Sequence, residues 1–176
     1  MNAFFLLPLL AAAQANELSA KHYAAIVAKS TDELRIYDGW YTALLVRGTL
    51  IDDSLRVAQE ARMAAITGNP ATPETPETFQ VVLSASTQFM KELSFSVDGS
   101  TPWTVHLRAG ENACLAPQSI VETRKPQPID MALLPHTTQW DRLFRLTFSA
   151  DACGGLPASA LDFFSARGQG TLQWPR

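Results

Sequence analysis

The sequence predicts an α+β fold, an antiparallel β-sandwich (immunoglobulin-like in architecture) with two or three N-terminal helices packed on it. Three observations carry this. Residues 79–176 hold about seven short segments of β-type pattern separated by Gly, Pro and Asp turns, the rhythm of a two-sheet domain. Residues 16–66 place apolar side chains at helical spacing. Between them, residues 67–78 (TGNPATPETPET) hold three prolines and no large apolar side chain, which reads as an exposed loop. With 176 residues the chain is one domain of ordinary size. The helical half, the Pro-rich loop and the β-rich half therefore belong to one unit, the first half being too small to own a core.

The best-patterned stretch is Trp140 to Ser149. Trp140, Phe144, Leu146 and Phe148 fall on one side of a two-residue period, with Arg142 the exception. Asp141, Arg145, Thr147 and Ser149 surround a single Leu143 on the other side. The expectation is a strand with one face on the core and the other toward water or a loop. It ends at Ala150-Asp-Ala-Cys-Gly-Gly-Leu-Pro157, where two glycines and a proline force a turn.

In chain order, Leu18, Tyr23, Ile26 and Val27 form an apolar stripe on a helix from Glu17 to Lys29. Ser30-Thr-Asp-Glu33 has the form of a capping box and predicts a second short helix through Leu34 and Ile36, closing at Asp38-Gly39. Residues 40–51 are rich in aromatic and β-branched side chains; they are a buried strand or a buried helix segment, with strand preferred. Asp52 or Asp53 caps a helix that runs to Gly68. Strands follow at Phe79–Ser86, Leu93–Val97, Trp103–Arg108, around Cys114, at Ile120–Arg124, and, after the Trp140 strand, at Leu161–Ser165 and Thr171–Trp174.

The first fifteen residues are an apolar run ending in Ala13-Gln-Ala15, which reads as a cleaved signal peptide, although no Lys or Arg precedes the run and a buried N-terminal helix is the alternative. Export, to the periplasm or outside the cell, gives the two cysteines a meaning: one Cys114–Cys153 disulfide. No later stretch is long and apolar enough for a transmembrane helix. The net charge of −3, with no basic run, gives no footprint for nucleic acid.

Gly168-Gln-Gly-Thr-Leu172 resembles the closing strand of antibody variable domains. The cysteine spacing does not fit those domains, and Asp151 stands where they place a tyrosine, so no family is assigned. No nucleophile elbow, zinc-protease helix, phosphate loop or dinucleotide fingerprint occurs, and neither metal nor cofactor is expected. His22, His106 and His136 are isolated in sequence. His106 points outward from the Trp103 strand and is a candidate binding residue. Trp40, Tyr41, Trp103 and Trp140 are expected in the core, while Trp174 either covers the core's end or marks a partner site. The expected function is an exported, non-catalytic module that binds another protein or joins a cell-envelope assembly. The alternatives are a small-ligand or glycan carrier, and a hydrolase with a non-local Ser/His/Asp site in which His106 or His136 acts.

Overall fold

The computed structural model describes residues 19–69 and 77–174. Residues 1–15, expected to be a signal peptide, and most of the Pro-rich loop lie outside these described residues. Within them the protein is α+β, with two sheets of mostly antiparallel strands and three α-helices.

The first sheet contains β1 (Thr31–Asp38), β2 (Tyr41–Ile51), β3 (Thr78–Ser86), β7 (Ser119–Thr123) and β8 (Arg142–Ser149), in the order β1-β2-β3-β8-β7. The second runs β10 (Gly168–Gln173), β9 (Ala160–Ser165), β5 (Trp103–Ala109), β4 (Phe95–Ser96), and β6 (Asn112–Ala113) also pairs with β5. Only the β4–β5 pair is parallel. One core unites the sheets: Val81, Leu83, Phe144, Leu146 and Phe148 of the first meet Val105, Leu107, Leu161, Phe163 and Leu172 of the second. Alternation in β5, with Trp103, Val105 and Leu107 buried and His106 exposed, is as the sequence pattern implies.

The helices are α1 (Ala20–Lys29), α2 (Asp53–Thr67) and α3 (Pro128–Leu133). Asp52 caps α2 by accepting from the Leu55 N–H at 2.8 Å. Gly68 closes that helix at φ 73°, a left-handed conformation that glycine adopts without a Cβ penalty. A second cluster joins Tyr23 and Val27 of α1, Leu55 and Ala58 of α2, Leu134 beyond α3, and Ile51, Val82 and Leu143 of the first sheet.

Four expectations are corrected. Residues 31–38 are not a helix: Ser30 ends α1, and 31–38 pair with β2 along their length as β1. The Glu33 carboxylate, required by a capping box to reach back to Ser30, bonds Arg35 and Arg47 instead. The third helix is not N-terminal. It is α3, started by Pro128 and by Asp130 accepting from the Gln127 N–H at 2.8 Å. The side of β8 expected to meet water or a loop is partly covered by helices, since Leu143 joins the second cluster. Finally, the alternation of β8 does not extend back to Trp140. The strand begins at Arg142, leaving Trp140 exposed and Asp141 buried in the preceding turn.

The Cys114–Cys153 disulfide is present, with Cα atoms 4.4 Å apart. It ties the segment after β6 to the turn after β8, and beside it the Leu115 N–H donates to the Ala152 carbonyl at 2.8 Å.

Candidate functional site

One end of the first sheet collects exposed aromatic side chains. β1 and β2 are joined there by the two-residue loop Gly39-Trp40, and Asp38 pairs with Tyr41. Gly39 has φ 61° and Trp40 has no positive φ, the pattern of a hairpin turn with glycine at its first loop position. That turn directs Trp40 away from the protein, and its side chain is 100% exposed. Tyr37 and Tyr41 beside it are 59% and 58% exposed. The β1–β2 register shifts between Ile36 and Tyr37, an irregularity of the kind that re-aims side chains near a strand end.

The hairpin is braced from three sides. Tyr41 meets the Phe89 ring edge-on at 6.4 Å, and the Arg167 guanidinium lies over that ring at 3.9 Å. Arg167 also forms a two-pronged pair with Glu92 (2.9 and 3.0 Å) and a third bond to Asp38 (2.8 Å). These bonds hold the Arg167 cation, raising its pKa, and keep the Glu92 carboxyl below its ordinary range. The Thr87 hydroxyl donates to the Ala43 carbonyl at 2.6 Å and so pins the end of β3 to β2.

Trp140 belongs to the same end, because β3 finishes and β8 starts there, with Ala85 opposite Arg142. The buried Asp141 carboxylate accepts from the Thr138 N–H at 2.7 Å and from the Ser84 hydroxyl at 3.1 Å. This fixes the turn that leaves Trp140 77% exposed. Trp40, Tyr41 and Trp140 thus depart from the core expectation, whereas Trp103 is buried. A signal for Trp40 was present in the sequence: Gly39 directly before it suits the first loop position of a hairpin turn once residues 31–38 are a strand.

Trp174, a candidate from the sequence, lies in the core at 5% exposure, and its indole N–H donates to the Gly48 carbonyl at 2.9 Å. Gly48 leaves room for the side chains packed on it, since a Cβ there would come within 2.4 Å of Leu172 and 3.4 Å of the Trp174 ring. His106 lies on the outward side of the second sheet, its ring 5.5 Å from that of Phe164. The structure does not bring His106 to the aromatic end or next to His136.

Ser84, His136 and Asp141 come from the region where the first sheet meets the segment after α3, but they do not form a triad. Ser84 donates directly to Asp141, the His136 Nε2 stands 3.5 Å from Thr49 Oγ1, and Ser84 is buried. A catalytic serine must instead donate to the imidazole and be reachable by substrate. Burial pushes the His136 imidazole down to about 4, with the Arg47 cation adding to the effect and Asp141 opposing it. Among the described residues no group of three or more His, Cys, Asp or Glu is placed to hold a metal ion. Among them, too, no helix is long and apolar enough to cross a membrane.

A cavity of about 630 Å³ lies at the opposite end of the first sheet, between the start of α2, the ends of β2 and β8, the start of β3 and the loop that follows Cys153. Among the described residues no tryptophan or histidine lines it. The chain matches no known family model, no curated protein and no solved structure.

Proposed function

We propose that this protein is an exported, non-catalytic binding module that engages another protein through the aromatic end formed by Tyr37, Trp40, Tyr41 and Trp140. The two sheets, facing each other across their shared core as a sandwich, act as the rigid support for that end.

The observation that carries this reading is the complete exposure of Trp40 on a braced hairpin. A tryptophan in that position contributes nothing to the core, yet it offers the largest apolar contact area of any side chain together with an N–H donor, the combination favoured at interface hot spots. Holding the hairpin in place beforehand lowers the entropy lost on association. The Cys114–Cys153 bridge supports an oxidising compartment, in keeping with export.

The test is a comparison of wild type with the Trp40→Ala/Trp140→Ala double variant as bait in an envelope extract of the source cells. One partner retained by wild type and lost from the double variant supports the reading. Retention of the same proteins by both contradicts it.

A further inference from the structure

We propose that the cavity at the opposite end of the first sheet is a binding site for a small amphipathic amine, a molecule with an apolar body and a cationic head. The site does not depend on the aromatic end, and its size and chemistry come from different residues.

The volume of about 630 Å³ falls within the range that encloses a small organic ligand. Its apolar side is built on the rigid core. Leu50, Phe79 and Ala158 pack against the core between the sheets, and Phe79 stacks on Phe148 with ring centroids 5.2 Å apart. Ile51, on the same wall, belongs to the cluster under the helices. The lip is Leu156 and Pro157, and Leu156 is 52% exposed, an apolar side chain directed to the mouth with no role in either core. The loop that carries it is tethered. Cys153 is disulfide-bonded, the Ala150 N–H donates to the Glu77 carbonyl at 2.8 Å, and the Ser159 N–H donates to the Arg108 carbonyl at 2.9 Å.

The polar side is the first two turns of α2, with Asp52, Asp53, Arg56 and Gln59. Its charge balance selects the ligand head. The Arg56 guanidinium is taken up by Glu60 at 2.8 Å and Asp53 at 3.5 Å, and Asp52, whose Oδ1 already accepts from the Leu55 N–H and the Ser54 hydroxyl as the cap of α2, adds a second carboxylate at the mouth. The cation is therefore countered by two carboxylates, although its buried Nε has no hydrogen-bond partner among the described residues, and the formal charge of the described lining residues Asp52, Asp53 and Arg56 is negative. An ammonium group at this mouth meets favourable potential, whereas a carboxylate head is repelled. The apolar wall excludes a small, fully hydrophilic cation, because such an ion would displace water without burying apolar surface.

The test uses three probes with one tail: octylammonium, octanol and octanoate, each titrated into the protein below its aggregation concentration and followed by calorimetry. The expected result is saturable one-to-one binding of octylammonium, weaker binding of octanol and none of octanoate. Octanoate binding as tightly as octylammonium overturns the assignment of the head, and absence of binding by all three overturns the site. Two exposed substitutions locate it. Leu156→Arg is expected to weaken octylammonium about tenfold by obstructing and charging the mouth. Asp53→Asn, at a side chain 91% exposed, is expected to weaken octylammonium about two- to fivefold and leave octanol unchanged. Unaltered binding by folded Leu156→Arg, checked by circular dichroism, overturns the location. Trp40→Ala is expected to leave all three titrations unchanged, which separates this site from the aromatic end.

Discussion

The Arg167 guanidinium lies 3.9 Å above the Phe89 ring while its edge grips both Glu92 and Asp38. One side chain from the β9–β10 turn thereby fastens the 3₁₀ turn at Met90–Glu92 to the β1–β2 hairpin. The flat fork of arginine suits this geometry, since it can pair with two carboxylates in its own plane and stack on an aromatic face at the same time.

Arg167→Ala is expected to speed amide exchange in the Asp38–Tyr41 hairpin while leaving β3 and β8 as protected as before. Arg167→Lys restores the charge but not the fork and should resemble alanine more than wild type. Hydrogen exchange followed by mass spectrometry checks both; equal protection of the hairpin in all three proteins would show that the brace lies elsewhere.

Trp40 and Trp174 are expected to respond in opposite ways to the same substitution. Trp40→Ala removes no packed contact and should change unfolding free energy by less than about 0.5 kcal/mol. Trp174→Ala opens a cavity beside Leu172 and leaves the Gly48 carbonyl without its donor, at a cost of about 3–5 kcal/mol. Urea denaturation of the two variants makes the comparison.

Reduction of Cys114–Cys153, or its replacement by serines, should lower stability by roughly 3–4 kcal/mol, because the bridge closes a loop of sequence separation 39 and removing it frees the unfolded chain. Melting with and without reductant measures this, and an unchanged Tm would contradict it.

His136 makes stability depend on pH. Its folded pKa of about 4 lies below the ordinary 6.5, so between these values the unfolded chain binds the proton and the folded protein does not. Stability is fully present above pH 6.5 and falls as pH drops toward 4, by roughly 2–3 kcal/mol. Glu33, held below its ordinary range first by its hydrogen bond from Arg47, loses its contribution only below about pH 4.5. The window from pH 4.5 to 6.5 thus belongs to His136, and denaturation midpoints of His136→Asn should be flatter across it than those of wild type.

Much of the scaffold was legible because its signals are local. Asp52 and Gly68 mark both ends of α2, and Trp103, Val105 and Leu107 alternate into the core as their spacing requires. The β1 strand is masked in the sequence because Ser30-x-x-Glu33 imitates a capping box, although Leu34 and Ile36 alternate with the charged Glu33 and Arg35. Only pairing with β2 decides between the two. Trp140 keeps the two-residue period of β8 in sequence although the strand itself starts two residues later, at Arg142.

Apart from Gly39 directly before Trp40, the candidate sites were not legible. An aromatic residue on a strand looks the same in sequence whether it faces in or out, and a register shift at Ile36/Tyr37 breaks the parity that would have distinguished them. The cavity draws on β2, α2, β3 and the loop after Cys153, segments that only tertiary structure brings together.

The role of the aromatic end is best tested by placing a photo-crosslinking amino acid at position 40, and separately at position 106 on the far sheet, in the source cells. We expect irradiation to yield one adduct of defined mass from position 40, none from position 106, and loss of the position-40 adduct when Trp140 is replaced by alanine. Adducts from position 106 alone, or none from position 40, would contradict a partner surface at the β1–β2 hairpin.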